Sequence, residues 1–143
     1  MATHTECIGC NIAEGSVPPG HIIYENNYVC CTLDIAPFNE GHLLILPKQH
    51  FHDIDEIDIN TQIEINKATI KMIKLIKKVF KPDGVTTCSN GGKFNDLSHY
   101  HLHIIPRYKG DGFTWSEPID NKSAENHLEE TKDLLINNLV NNV

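Results

Sequence analysis

His99-Tyr100-His101-Leu102-His103-Ile104-Ile105, running on into Pro106-Arg107-Tyr108, sets three histidines at a spacing of two with large apolar or aromatic residues between them. A spacing of two is the strand period, so the stretch predicts one β-strand with all three imidazoles on the same face. Same-face neighbours on a strand stand about 6.6–6.8 Å apart at Cα, which separates His99 from His103 by about 13 Å. No single zinc ion takes both with bonds of about 2.0–2.1 Å. The three histidines must therefore divide their labour. A purely structural role for all of them is poor, because burying three titratable rings on one face costs free energy that aliphatic side chains would not. Metal ligation is one reading, since His-x-His on a strand presents two ligands to one ion. Nucleophilic or acid–base chemistry near neutral pH is the other. The stretch alone leaves both open.

Working outward, the chain reads as five strands and one long helix. Ile8 to Ala13 predicts a short helix, ended by Gly15 and the Pro18-Pro19-Gly20 turn. His21 to Glu25 and Tyr28 to Asp34 predict a hairpin about Asn26-Asn27. The apolar strand His42 to Leu46 follows the loop Pro37 to Gly41 and breaks at Pro47. His50 to Ile57 is acidic and predicts a short helical or irregular turn. Thr61 with Glu64 is a capping-box pattern, which starts a helix running to Phe80. Ile65, Ala68, Met72, Ile73, Leu75, Ile76, Val79 and Phe80 supply its broad apolar stripe, with lysines mostly on the solvated side. Lys81-Pro82-Asp83-Gly84 stops that helix. A strand from Val85 to Ser89 and the loop Asn90 to Asp96 lead into the histidines. Ser123 to Val140 predicts a terminal helix with Leu128, Leu135 and Leu139 on one side. The expectation is one α+β domain over residues 1–143, with its core at 6–108 and a C-terminal extension at 109–143. Its sheet is five-stranded and antiparallel, with one long helix and short N- and C-terminal helices.

The 143 residues suffice for one hydrophobic core, and 40% hydrophobic with 22% charged residues is an ordinary globular composition. Twelve basic against nineteen acidic residues give a net charge of −7, which argues against bulk attraction to nucleic acid or an anionic membrane. Any phosphate must be held by local groups. No basic region with an apolar run opens the chain, and no apolar run approaches the roughly 18 residues of a membrane span. A soluble cytoplasmic protein is expected. Of the five cysteines, Cys30, Cys31 and Cys88 read as small hydrophobic residues, with the adjacent Cys30 and Cys31 on opposite strand faces. Cys7-Ile8-Gly9-Cys10 has the spacing of zinc and redox motifs. A tetrahedral site needs two further ligands, for which His50 and one end of the triad are candidates.

The triad and its context resemble the histidine triad (HIT) family of nucleotide hydrolases and transferases. The context is Leu33-Asp34-Ile35-Ala36-Pro37, Gly41-His42-Leu43-Leu44-Ile45-Leu46-Pro47-Lys48-Gln49-His50 and Ser89-Asn90-Gly91-Gly92. The resemblance spans Glu6 to Tyr108. It implies that His101 attacks the α-phosphate of a purine nucleotide derivative and forms a covalent nucleotidyl intermediate that water hydrolyses. His103 would stabilise the phosphate charge, and a backbone carbonyl of the triad segment would fix the His101 tautomer. Asp34 would bind the ribose hydroxyls, and Ile8 and Ile35 would line the base pocket. Asn90 and Asn95 are assigned to the substrate site, and His42 matches a histidine that backs it, for which a buried, hydrogen-bonded structural role fits equally. Structural Zn²⁺ would be held by Cys7, Cys10, His50 and His99, with no organic cofactor. The resemblance further implies a homodimer with a ten-stranded sheet, in which the stretch around Trp115 reaches the partner's pocket.

One position departs from the family pattern. Many members carry a hydroxyl residue where this chain has Asp96, which would bond a leaving group only when protonated or would orient a water. Both phosphoramidates and dinucleoside polyphosphates fit as substrates, and Arg107 leans toward the second because a guanidinium pairs with a longer phosphate chain. A non-catalytic nucleotide sensor that keeps the zinc is the competing class. His4, His21, His52 and His127 read as surface histidines.

Overall fold

The apolar runs on either side of the histidines pair into one five-stranded antiparallel sheet. The computed structural model describes residues 6–16, 20–116, 118 and 122–142. The strands are β1 (Ile22–Glu25), β2 (Val29–Leu33), β3 (Leu43–Pro47), β4 (Gly84–Cys88) and β5 (Leu102–Arg107), in the spatial order β1-β2-β3-β5-β4. The β1–β2 turn is closed by Asn26, whose Oδ1 accepts from the backbone N–H groups of Tyr28 and Val29 at 2.8 and 2.9 Å. Helices α1 (Ile8–Ala13) and α2 (Ile59–Phe80) complete this unit, Met1–Gly112.

Strands β2 and β3 are buried along almost their whole length, because each face is covered. Cys31, Leu43, Ile45 and Ile104 pack with Ala68, Met72 and Ile76 of α2, whereas Leu75 and Val79, expected on the same stripe, are exposed. Cys30, Leu44 and Leu46 pack with Ala13, and Ile12 lies against them. Successive residues point to opposite faces, so α1 and α2 lie on opposite sides of the sheet. Cys30 and Cys31 divide between the two sides as expected. Ile104 belongs to the α2 side, which turns His103 to the α1 side beside Leu44, its partner in the β3–β5 register.

Three local expectations are corrected. The histidine strand begins at Leu102, not His99. Upstream of it the backbone is diverted, with Ser98 in the left-handed region at φ 51° and the Tyr100 N–H donating to the Phe51 carbonyl at 2.7 Å. The long helix begins at Ile59 with Asp58 as its cap, accepting from the Thr61 N–H at 3.0 Å and the Thr61 hydroxyl at 2.8 Å. Thr61 is thus inside the helix, and Glu64 turns to Asn26 and Lys67. In the second unit, Phe113–Val143, the expected single helix is broken at Asn126-His127 into α3 (Lys122–Glu125) and α4 (Leu128–Asn142). Leu128, Leu135 and Leu139 of α4 are exposed, as is Trp115, whose ring meets Phe113 edge-on. Among the described residues, no helix is long and apolar enough to cross a membrane.

Candidate active site and metal centre

Cys7 caps α1 and Cys10 lies one turn on, which is why the Cys-x-x-Cys spacing brings two sulfurs to one point. His50 follows the end of β3, and His99 precedes β5. Cys7 Sγ stands 3.4 Å from His50 Nδ1 and 3.6 Å from His99 Nδ1, and Cys10 Sγ stands 3.4 and 3.5 Å from the same two atoms. A tetrahedral ion with Zn–S near 2.3 Å and Zn–N near 2.0–2.1 Å requires sulfur–nitrogen separations of about 3.6 Å. The four side chains fit a metal of that kind. His99 is wholly buried, and its Nε2–H donates to the Pro47 carbonyl at 2.8 Å, leaving the Nδ1 lone pair directed at the cysteines. Burial first, and then Cys7, push the Cys10 thiol up to about 11, so a bound cation displaces a proton there.

Gly9 makes this convergence possible. A Cβ at that position would lie 2.3 Å from the His99 Cβ, so α1 approaches His99 only because the residue between the two cysteines has no side chain.

The second cluster begins at the same residue. His101 Nδ1–H donates to the His99 carbonyl at 2.9 Å, so in the neutral ring Nε2 carries the lone pair. That Nε2 lies 3.4 Å from Asp96 Oδ1. His103 Nδ1 and His42 Nε2 are 2.9 Å apart, while the Phe38 N–H donates to His42 Nδ1 at 3.1 Å. A backbone N–H can only donate, so His42 accepts at Nδ1 and carries its proton at Nε2. It therefore donates to His103 Nδ1, and the His103 proton is left on Nε2. Burial pushes the pKa of both rings below the ordinary histidine value, more strongly than Asp34 raises them. Asp34 Oδ2 stands 3.5 Å from His42 Nε2 and 3.8 Å from His103 Nδ1, with Oδ1 accepting the Ala36 N–H.

His101, His103, Asp34 and Asp96 form the polar end of a cavity of about 420 Å³, and Ile8, Ile12, Ile22, Ile35 and Leu97 line its apolar part. Ile35 is 87% exposed and Ile8 59%, leaving apolar surface that a flat ring would cover. The structure brings together Ile8, Ile35, Asp34, Asp96, His101 and His103, and sets His42 directly behind His103. It does not bring Asn90 or Asn95 to this cavity. Asn90 lines a separate hollow with Asp53, Ser89 and Tyr100. Asn95 is buried, its amide donating to the His52 carbonyl and accepting from the Leu97 N–H. Arg107, expected to reach a phosphate chain, is held instead by Asp111 through Nε and Nη2 at 2.7 and 3.0 Å, and by the Thr86 hydroxyl. His21 is exposed but lines the cavity. His52 pairs with Asp53, His127 is exposed, and His4 lies outside the described residues.

A family model described as the HIT domain matches residues 16–110. The chain belongs to the HIT family. It is 37% identical over 124 residues to Protein hit of Bacillus subtilis, covering 83% of this chain and 85% of that protein. It is 32% identical over 113 residues to the adenosine 5'-monophosphoramidase HNT1 of Candida albicans, covering 75% of this chain and 74% of the relative. Among solved structures it resembles a Zn-bound histidine triad family protein from Mycobacterium smegmatis, with a TM-score of 0.71 and 28% identity over 94% of this chain and 99% of that one. The HIT match begins after Cys10, so the metal cluster rests on its own geometry.

Proposed function

We propose that this HIT protein is a nucleotide hydrolase that works through a covalent His101 intermediate. The observation that carries the reading is the hydrogen bonding of the two cavity histidines, His101 Nδ1 on the His99 carbonyl and His103 Nδ1 on His42, a pattern that leaves a lone pair on His101 Nε2 and a proton on His103 Nε2. His101 Nε2 attacks the α-phosphorus, the bond from phosphorus to the leaving group breaks as that group takes a proton from solvent, and a nucleotidyl–imidazole forms. Water then attacks the same phosphorus, the P–N bond to His101 breaks, and a nucleoside monophosphate leaves. His103 donates to a phosphate oxygen throughout and stabilises the added charge. Asp34 accepts from the ribose hydroxyls, and Ile8 and Ile35 close on a purine. A relative named as an adenosine 5'-monophosphoramidase supports a purine nucleotide substrate.

Cys7, Cys10, His50 and His99 would hold zinc, which would supply a cross-link between α1 and the residues preceding β5. The reading includes a homodimer, for which β4 stands at one edge of the sheet among the described residues and sedimentation is the check. The experiment for the activity is turnover of an adenosine 5'-phosphoramidate, with intact mass of the quenched protein. The expected result is a nucleotidyl adduct on the wild type and a loss of about 10⁴-fold or more in His101→Ala. Full activity in His101→Ala overturns the nucleophile. A wild type that binds AMP and turns over nothing makes the protein a nucleotide sensor.

A further inference from the structure

We infer that Asp96 selects against leaving groups that carry negative charge, so that the site favours nucleotides whose α-phosphate is joined to an amine over those joined to a polyphosphate. This rests on the hydrolase reading and concerns the other side of the bond that His101 breaks.

Asp96 is presented by a loop whose neighbouring residues are tied down. Asn95 is buried and bonded to the His52 carbonyl, and its Oδ1 accepts the Leu97 N–H. The loop is further fixed by the Gly92 N–H, which donates to Asp53 Oδ1 at 2.9 Å. Between these anchors the Asp96 side chain is 86% exposed and stands 3.4 Å from His101 Nε2. A reacting phosphorus lies about 3–3.5 Å from its nucleophile, so the departing atoms come within a few ångströms of this carboxylate.

Nothing in the described wall offsets that charge. The cavity is lined by two carboxylates, Asp34 and Asp96, and three histidines, with no lysine or arginine. Of the lining histidines, His103 accepts at Nδ1 from His42, which in turn accepts from the Phe38 N–H, a chain that fits a neutral ring at each. The guanidinium of Arg107 is spent on Asp111 and Thr86. A pyrophosphate or longer leaving group would bring several negative charges to the open end of a cavity whose wall has two carboxylates and no lysine or arginine. At about 5 Å and an intermediate effective dielectric, one such pair costs roughly a factor of 10. A neutral amine escapes the penalty, and a leaving group bearing a second, protonated amine gains by the same factor. A freely solvated carboxylate that swings away from the cavity predicts no discrimination, so the two accounts separate experimentally.

The test uses the full chain loaded with zinc and compares kcat/KM for diadenosine tetraphosphate with that for an AMP phosphoramidate of ethylenediamine, whose second amine is protonated. Asp96→Asn and Asp96→Ser are measured beside the wild type. The inference expects the ratio to move about 10-fold or more toward the tetraphosphate in both variants, and the shift to shrink as salt is raised from 0.05 to 0.5 M, values chosen to span roughly the Debye range. A ratio constant within about twofold, or an equal fall for both substrates, overturns it while leaving the hydrolase reading intact. A wild type that turns over neither substrate overturns the hydrolase reading and this inference with it.

Discussion

Among the described residues, two clusters gather close ring nitrogens, and they are built on opposite rules. Both Cys7-Cys10-His50-His99 and Asp34-His42-His103 gather their ligand-type atoms within 4.8 Å. In the first, every sulfur–nitrogen separation falls between 3.4 and 3.6 Å, and His99 sends its N–H away to Pro47. Two sulfurs and two ring nitrogens converge on one point, which suits a cation that displaces the thiol protons. In the second, two ring nitrogens are 2.9 Å apart and a backbone N–H feeds the far side of His42. A proton occupies the gap that an ion would need. What separates metal site from hydrogen-bond relay is what the other nitrogen of His99 and of His42 is doing.

The sharpest way to break this contrast is to remove a ligand from each side. Cys7→Ser is expected to take bound zinc from one ion per chain to none, measured by elemental analysis. Losing a ligand present at a thousand times its Kd removes about 4 kcal/mol of stability, which is roughly 10 °C of Tm for a domain of this size. His42→Ala is expected to leave the zinc content unchanged and to lower turnover of an adenosine phosphoramidate by about 10–100-fold, the usual cost of removing the group that orients a working residue. The loss should fall on kcat, because His42 touches His103 and does not line the cavity. Loss of zinc in His42→Ala, or full turnover in it, removes the distinction.

Much of this arrangement was legible in the chain, and the reasons differ by position. The spacing of two placed His101 and His103 on one face because that stretch enters a regular strand, and Cys-x-x-Cys needed only one helical turn to converge. Both are local rules. The strand start was misread because His99 looks like its neighbours in sequence, whereas its backbone leaves the ladder at Ser98 and Tyr100. Asp58 does not stand out in the sequence as the α2 cap because Thr61 and Glu64 also fit a capping pattern, and only the start at Ile59 tells them apart. Arg107 looked available for phosphate because its partner Asp111 lies beyond the strand, in a turn that periodicity does not describe. Gly9 and Phe38 gave no signal at all. One matters through a side chain it lacks against a residue ninety positions away, and the other through its backbone N–H.

The smallest expected effect concerns acid, and its sign follows from the relay. His42 and His103 both have their pKa lowered from 6.5, first by burial. In the unfolded chain these rings take up protons as the pH falls through 6.5, while the folded protein resists until lower values. Stability from this pair is therefore fully present above pH 6.5 and is lost as the pH falls through the lowered folded values. The structural cause is specific, since a proton on His42 Nδ1 would face the Phe38 N–H and leave two donors pointing at each other. Asp34, Asp96 and His101 surround the pair, and the two carboxylates oppose the shift. The measurement is Tm between pH 7.5 and 5.0, a span chosen around roughly the ordinary histidine range, with zinc content followed in the same samples. His42→Gln, which carries no titrating ring, should show a shallower fall than the wild type at equal zinc content. An identical slope in the two proteins would assign the acid sensitivity to the metal ligands, and the relay would then be no more than a way of aiming His103.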